Sequence, residues 1–502
     1  MTQDIVIDDQ PRLVRLARAI WSPEPFLVFA IAFGLGALPA IFALFASQLG
    51  DVVYLAPHEG YSGPCDAAAV EAGDCYRKQV GYAHALNWLP ALGVLMPLAL
   101  FFAFESVQNL QATFRRMRDD RMFIDESWEP EEGEATRRAL AQVVRLLWTV
   151  FAVAALAVSG LVMLVMALDW ACVVALPLAR GEPLTSVAAD MLPSACGGGA
   201  QEIDWSIAAA IPGSDRLMLE TQSPNALRNG VFSAYVYLLM AIELCFILSY
   251  FAFIGAVALV VRRIRSGKLG VRLVPNFRSR DPRHRMGFEH FEPVFRPCVY
   301  VTILSFVMAF MLRIQNEYLR DRENESIWSF MFTDISKTIE AMFTIDTSDI
   351  VSFASSSASS LGNLRGVLDV GAMADPNSQI VTPLVIVVFG LISIALGVVL
   401  RDAALDARRR VERLLDDREA RPRIEAFYGE DAAALAKRLR HLEVWPLSWP
   451  RLRQSIGLIV AGVFCLFFYK LALAWVAVVG VRAVQGRFSE DPAQADGPSQ
   501  PR

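Results

Sequence analysis

Residues 231–261 read VFSAYVYLLMAIELCFILSYFAFIGAVALVV, and Glu243 is the one charged side chain in this stretch. An α-helix rises about 1.5 Å per residue, so the stretch corresponds to about 46 Å of apolar helix. The hydrocarbon core of a bilayer is about 30 Å thick, and about 20 apolar residues cross it. The stretch therefore predicts a membrane-spanning helix that tilts or projects beyond the bilayer.

Six further apolar stretches have the length or nearly the length of a span. They are residues 25–48, 88–106, 146–168, 294–313, 380–400 and 455–481. The 502 residues are 54% hydrophobic and only 20% charged, which excludes a disordered chain and is unusual for a soluble protein of this size. We predict an all-α integral membrane protein with seven spans. Six spans is the alternative, because Arg296 and Arg313 closely flank the fifth.

The distribution of Lys and Arg predicts the orientation of these spans. With the N-terminus inside, 33 of the 47 cations fall on inner segments and 13 on outer segments. Acidic residues divide equally between the two sides. A bias in cations alone is what the positive-inside rule expects, so the N-terminus is predicted inside and the C-terminus outside.

The predicted spans divide the chain into nine segments. These are a cytoplasmic N-terminus (1–24), spans one to three (25–168) with an outer loop (49–87), a second outer loop (169–230), spans four and five (231–313) with a basic inner loop (262–296), a third outer loop (314–379), span six (380–400), a cytoplasmic helical segment (401–454), span seven (455–481) and a disordered tail (482–502).

Four cysteines fall on outer loops, and none lies in the interior of an inner segment. Pairs on an oxidising side and none on a reducing side are typical of disulfides. We predict Cys65–Cys75 and Cys172–Cys196, with pairing between the two loops as the alternative.

A zinc site is the other interpretation of the first cysteine pair, since His58 and His84 flank it. The nine residues between the two cysteines do not match a short zinc motif. We therefore predict a disulfide there, with no metal site and no cofactor.

Glu243 and Lys470 are charged residues inside predicted spans. A charge in a bilayer costs about 2.5 kcal/mol or more, so such residues are functional candidates. One hypothesis is a proton or cation relay that uses both residues. The alternative is that Lys470 extends outward to the interface while Glu243 is protonated or bonded to Ser249 or Tyr250.

The basic inner loop predicts contact with lipid headgroups or a role in fixing topology. Its first five cations are Arg262, Arg263, Arg265, Lys268 and Arg272. Cations near an anionic membrane surface contribute about 1 kcal/mol each. Nucleic-acid binding would require a folded reading surface as well, so we predict no nucleic-acid partner.

The segment after span six continues as a helix with a short heptad seam. Leu400, Ala404, Ala407, Val411 and Leu414 are spaced 4-3-4-3. Three i,i+4 pairs are predicted on it, namely Asp406–Arg410, Arg408–Glu412 and Arg413–Asp417. A solvated extension is the favoured interpretation. The alternative is a helix–helix contact within or between subunits, with residues 401–441 binding a second copy or a cytoplasmic protein.

An amphipathic helix is predicted in the third outer loop. Trp328, Met331, Ile335, Ile339 and Met342 recur at helical spacing. The favoured interpretation is a helix that packs this stripe on the outer domain. The alternative is a helix lying in the outer membrane interface.

The sequence does not identify an activity. It contains no Walker A, G-x-G-x-x-G, H-E-x-x-H or G-x-S-x-G motif. The leading hypothesis is a conduit for ions or small solutes, supported by glycines and prolines that break spans one and two. A membrane-embedded sensor or scaffold is the alternative, and a lipid-modifying enzyme is a weaker one. Abundant Arg with only five Lys favours a GC-rich bacterium, and hence an inner-membrane location.

Overall fold

A computed structural model describes residues 11–45, 53–57, 67–79, 87–124, 134–170, 226–277, 287–320, 326–344, 381–442 and 457. Its helices are α1 (Arg12–Ile20), α2 (Pro25–Phe45), α3 (Ala67–Glu71), α4 (Met96–Asp119), α5 (Glu134–Trp170), α6 (Ala226–Arg265), α7 (Glu292–Arg320), α8 (Ile327–Thr344), α9 (Val381–Asp416), α10 (Arg421–Tyr428) and α11 (Ala432–Arg440). A π-helix (Asn87–Leu95) leads into α4, and a 3₁₀ turn (Phe288–Phe291) leads into α7.

Four helices are long and apolar enough to cross a membrane, and 84% of the described residues are helical. The qualifying ranges are Pro90–Asp119, Arg138–Leu164, Leu238–Arg265 and Phe288–Met308. They coincide with predicted spans two to five. Helices α1 and α2 pass the same test as a pair bent by 72°. The helical class is therefore confirmed, while predicted span seven lies almost entirely outside the described residues.

Two short antiparallel strand pairs accompany the helices in the described part of the chain. Strands β1 (Val53–Pro57) and β2 (Cys75–Gln79) pair antiparallel in the first predicted outer loop. Strands β3 (Phe123–Ile124) and β4 (Arg272–Leu273) also pair antiparallel. The second pair joins the end of α4 to residues 272–273 of the basic loop, just after α6.

The core of the bundle is formed by α4, α5, α6, α7 and α9, which share one cluster of buried apolar side chains. Trp21, at the end of α1, inserts into this cluster. Its ring stacks on Phe104 with centroids 4.5 Å apart and meets Phe151 and Phe246 edge-on. Such aromatic contacts add about 0.5–1.5 kcal/mol each beyond area burial. They connect the N-terminal helix with α4, α5 and α6.

Polar side chains of α4 bind backbone carbonyls of α7. Pro297 has no N–H to donate to the Pro293 carbonyl one turn earlier. Asn109 Nδ2 donates to that oxygen at 3.2 Å, while Ser106 Oγ donates to the Val294 carbonyl at 3.0 Å. These hydrogen bonds fix α4 against α7 at a point where the helix alone leaves an acceptor unsatisfied.

The seam of α9 is buried within the chain. Leu400, Ala404, Ala407 and Val411 are all buried, the first three against the bundle and Val411 against α10 and α11. The favoured interpretation of 401–416 as a solvated extension is therefore wrong, and the helix–helix contact is intramolecular. Small alanines allow this helix to approach α6 closely.

Helices α10 and α11 fasten the basic loop to the end of the bundle. Tyr428 Oη donates to the Pro275 carbonyl at 3.1 Å, and Arg438 Nη1 donates to the Phe277 carbonyl at 2.7 Å. The Phe277 and Tyr428 rings meet edge-on with centroids 4.6 Å apart. The segment 271–277, α9, α10 and α11 therefore form a folded unit, which we call the helical cap.

Acid is expected to loosen the helical cap at Glu425. The hydrogen bond from the Arg421 guanidinium, and then that from the Ala432 N–H, lower the pKa of this carboxyl. A lowered folded-state pKa gives stability that is full above the unfolded value of about 4.3 and disappears as pH falls through the folded value. The thermal midpoint of wild type should therefore fall toward that of Glu425→Gln on acidification. An unchanged difference between the two proteins across this range would contradict the prediction.

Helix α8 divides its apolar side chains between two faces. Ile327 and Phe330 are buried against α7, whereas Trp328 and Phe332 are 45% and 73% exposed. Met331 packs against the same cluster. The packing interpretation therefore holds for part of the predicted stripe, while Ile339 and Met342 lie outside the residues whose side chains are described.

Candidate functional site

The carboxyl of Glu243 lies inside the bundle. The residue is 1% exposed, and neither carboxyl oxygen has a hydrogen-bond partner among the described residues. Its neighbours one turn away on α6, Leu239, Met240 and Ile247, are buried apolar residues. Buried polar groups are nearly always hydrogen-bonded, so this exception is a functional candidate.

The hydroxyl partners predicted for Glu243 do not bind it. Neither Ser249 nor Tyr250 donates to its oxygens. Ser249 Oγ instead lies 3.4 Å from Ser159 Oγ on α5. The predicted bond to either of these hydroxyls is therefore wrong, because both lie more than one turn further along α6, while the protonated alternative stays a prediction.

A second polar contact lies about two turns before Glu243. Tyr235 Oη donates to the Leu35 carbonyl of α2 at 2.6 Å. Pro39 lies four residues after Leu35 and has no N–H, so α2 itself cannot satisfy that oxygen. Tyr235 also interacts electrostatically with Glu243. The sequence signal for this contact is the proline, which identifies the free carbonyl but not its donor.

A double-mutant cycle should reveal this compensation. Tyr235→Phe removes the donor and is expected to cost about 1 kcal/mol, as interhelical hydrogen bonds in membranes do. Pro39→Ala restores an N–H that bonds the Leu35 carbonyl within α2. Tyr235→Phe should therefore cost less in the Pro39→Ala background, as measured by unfolding in mixed micelles. Equal costs in both backgrounds would contradict the assignment.

Lys470, the proposed partner of Glu243, lies outside the described residues. The relay formed by these two residues therefore remains a prediction. Cys172 and Cys196 are also outside them, as is Cys65. Cys75 is disulfide-bonded, and the two other described cysteines, Cys245 and Cys298, form no disulfide, so the Cys65–Cys75 pairing stays a prediction.

The basic loop residues divide into exposed and paired cations. Arg262, Arg263 and Lys268 are exposed to solvent or headgroups. Arg272 lies in β4. Arg265 is turned toward α9, where its guanidinium binds Asp402 at 3.1 Å and also contacts Asp406. Arg265 therefore joins α6 to α9, a role that the lipid interpretation missed.

One member of the pairs predicted within α9, Asp406, also takes part in this contact with Arg265. Arg408 Nε binds Glu412 at 2.8 Å, as the i,i+4 spacing predicts. Asp406 contacts Arg265 on α6, a tertiary pairing that the spacing within α9 does not predict. A shallow open pocket lies beside this contact and is lined by Arg262, Arg265, Ser266 and Asp406.

A third polar cluster joins the end of α4 to the start of α7. His290 Nε2 lies 2.6 Å from Asp120 Oδ2, and Thr113 Oγ1 donates to the His290 carbonyl at 2.7 Å. Gly287, which precedes the 3₁₀ turn, has a φ of 96° that favours glycine. These contacts seat the start of α7.

Comparison with known proteins assigns this chain to a family. No curated protein and no solved structure matches this chain. A family model described as RcgA-like matches residues 67–367, which is more than half of the 502 residues. The matched range includes Glu243, Tyr235 and all of α4 to α7. On this match, the chain belongs to the RcgA-like family.

Proposed function

We propose that the protein is a membrane conduit for protons or small cations, with Glu243 as the ionisable group in the pathway. The observation that carries the proposal is a buried carboxyl with no hydrogen-bond partner among the described residues. In hydrocarbon such a group is costly and is typical of ion pathways and proton relays. The same carboxyl can hold a proton or bind a cation by exchange of that proton.

Prolines within two helices support the same proposal. α2 contains Pro39, and the π-helix that precedes α4 contains Pro90. Gly36 lies directly against the backbone of that π-helix at Leu92. Interrupted helices that leave carbonyls free often frame ion sites in transporters. Tyr235 connects this broken region to the helix that carries Glu243.

The proposed membrane arrangement has seven spans, with the N-terminus inside and the C-terminus outside. Four helices that are long and apolar enough to cross a membrane, together with the 21 residues of α2, support the first five spans. Helix α9 supplies the sixth through residues 381–400, and residues 455–481 supply the seventh. The cation bias supports a bacterial inner membrane, with Cys65–Cys75 and Cys172–Cys196 on its oxidising side.

Proton flux into liposomes tests the conduit. The purified full-length protein is reconstituted with an internal pH-sensitive dye, and a pH step is applied. Wild type should dissipate the gradient, while Glu243→Gln should reduce the rate to that of empty liposomes because the amide cannot exchange a proton. Glu105→Gln on α4 is the matched control and should retain flux.

Two results would overturn the conduit. One is wild-type flux no greater than that of empty liposomes, measured with protons and then with sodium and potassium. The other is full flux through Glu243→Gln, which would exclude this carboxyl from the pathway.

A membrane-embedded scaffold is the second candidate, favoured by the helical cap. α9 runs without interruption from Val381 to Asp416 and carries α10 and α11 at its end. Lys437 and Arg440 are exposed on α11. Lys437→Glu/Arg440→Glu should then remove a cytoplasmic partner from crosslinked complexes, whereas Arg409→Glu/Arg413→Glu should not. Identical crosslinks in all three proteins would count against this candidate.

A further inference from the structure

We infer that α1 lies flat on the cytoplasmic face of the bilayer and binds anionic lipid headgroups through Arg12 and Arg15. This inference rests on the proposed membrane placement of α2, and it assigns a binding surface that is separate from the conduit. Leu16 and Ile20 extend from the same helix into the acyl boundary. The ligand class is a phospholipid with net negative charge.

Helix α1 presents a buried face and an exposed face. Val14 and the adjoining Trp21 are buried against the bundle. Leu16 and Ile20 lie one turn apart on a second face and are 58% and 43% exposed. Successive residues of an α-helix are 100° apart, so residues three or four positions apart share a face. Two large apolar side chains are therefore left exposed on a face that the protein does not cover.

Arginines adjoin these apolar side chains, since Arg12 lies one turn before Leu16. Arg12 and Arg15 are both exposed and lie three residues apart. Arg18, by contrast, lies over the Trp148 ring at 5.4 Å and is held by the protein. An amphipathic helix with cations beside an apolar face is typical of helices that lie in a membrane interface.

The geometry of the bend places α1 across the direction of α2. The two helices meet at 72°. Gln108 Nε2 donates to the Pro23 carbonyl at 2.6 Å and to the Ser22 carbonyl at 3.3 Å, which satisfies acceptors exposed by the bend. Trp21 is fixed at the same corner by its stacking on Phe104. If α2 crosses the bilayer, α1 therefore runs close to the membrane plane.

The combination of exposed apolar side chains and exposed arginines on α1 favours lipid over a protein partner. Apolar side chains next to arginines match a bilayer surface, where acyl chains lie beside phosphates. Cations near an anionic surface add attraction that falls off within a Debye length, so both arginines must lie close to the headgroups. The bend provides this proximity because it joins α1 directly to the apolar α2.

Amide hydrogen exchange of the full-length protein in nanodiscs tests the inference. One set of nanodiscs contains phosphatidylcholine alone, and the other contains equal parts of phosphatidylcholine and phosphatidylglycerol. Exchange in α1 should be at least about fivefold slower with phosphatidylglycerol, as expected for one or more cations at the surface. Arg12→Glu/Arg15→Glu should abolish this difference, while Arg409→Glu/Arg413→Glu on α9 should preserve it.

Substitution of the apolar face tests the second half of the inference. Leu16→Ser/Ile20→Ser should speed exchange of α1 in both types of nanodisc, because insertion no longer anchors the helix. Equal exchange in both membranes, unchanged by Arg12→Glu/Arg15→Glu, would overturn headgroup binding. Protection of α1 as complete as that of α2 in both membranes would also overturn it, since the pair would then be one broken span.

The same data separate this inference from the conduit. Full flux in every variant, including Glu243→Gln, would overturn the conduit. It would leave the lipid dependence of α1 in place. Free exchange throughout α2 would overturn the membrane placement on which α1 depends, and this inference with it.

Discussion

Replacing Glu243 by Leu is expected to give a protein that is more stable than wild type and inactive in the flux assay. The buried carboxyl has no hydrogen-bond partner among the described residues. Burial of an unbonded polar group costs about 1–3 kcal/mol in protein mutational data, and Leu removes that cost. The gain is measured as the free energy of unfolding in mixed micelles.

Two further variants make this prediction specific. Glu243→Gln keeps the shape and polarity of the side chain, so it should lose flux without the gain in stability. Glu105→Leu replaces a half-buried carboxyl near Arg296 and should not stabilise the protein. A Glu243→Leu protein less stable than wild type would contradict the prediction and would indicate that the carboxylate has a partner such as Lys470.

Gly36→Ala is expected to destabilise the protein by about 1–3 kcal/mol through overpacking. A Cβ at Gly36 would lie 2.7 Å from the Leu92 carbonyl oxygen and 2.8 Å from Gly93 Cα. Both atoms belong to the backbone of the π-helix and cannot rotate away. Helix α2 would therefore have to separate from the helix that it packs against. Thermal unfolding of the solubilised protein measures the loss.

Gly34→Ala is the matched control for this substitution. It lies in the same helix two residues earlier, and a Cβ there would meet nothing within 4 Å. Alanine is also a better helix former than glycine. The control should therefore be neutral or slightly stabilising. Equal effects of the two substitutions would show that helix propensity, rather than the close contact with Leu92, determines the outcome.

The sequence predicted the helices but not where they end. Each of the first six predicted spans contains a helix, because a run of apolar residues records exposure to lipid. Helix α4 nevertheless continues to Asp119, 13 residues beyond the predicted end, and α5 begins at Glu134. These extensions contain polar and charged residues that pack against other helices of the same chain. Hydropathy identifies the apolar part of a helix and gives no information on polar extensions beyond it.

Only one residue of the candidate site, Glu243, could be predicted from the sequence. Glu243 is identified by its charge in an apolar run, whereas its lack of a partner among the described residues depends on what neighbouring helices place around it. Asp406 shows the same limit, since its local spacing predicts Arg410 but the folded chain brings it to Arg265. Sequence spacing reports neighbours on one helix and gives no information on a competing neighbour from another.

The continuity of α9 has a mechanical consequence. Its 36 residues form a rod about 54 Å long, and the salt bridges from Arg265 to Asp402 and Asp406 hold it near two-thirds of its length. If this attachment acts as a fulcrum, the arms on either side are about 35 Å and 18 Å long. A sideways shift of the Val381 end would then swing the Asp416 end in the opposite direction by about half as much.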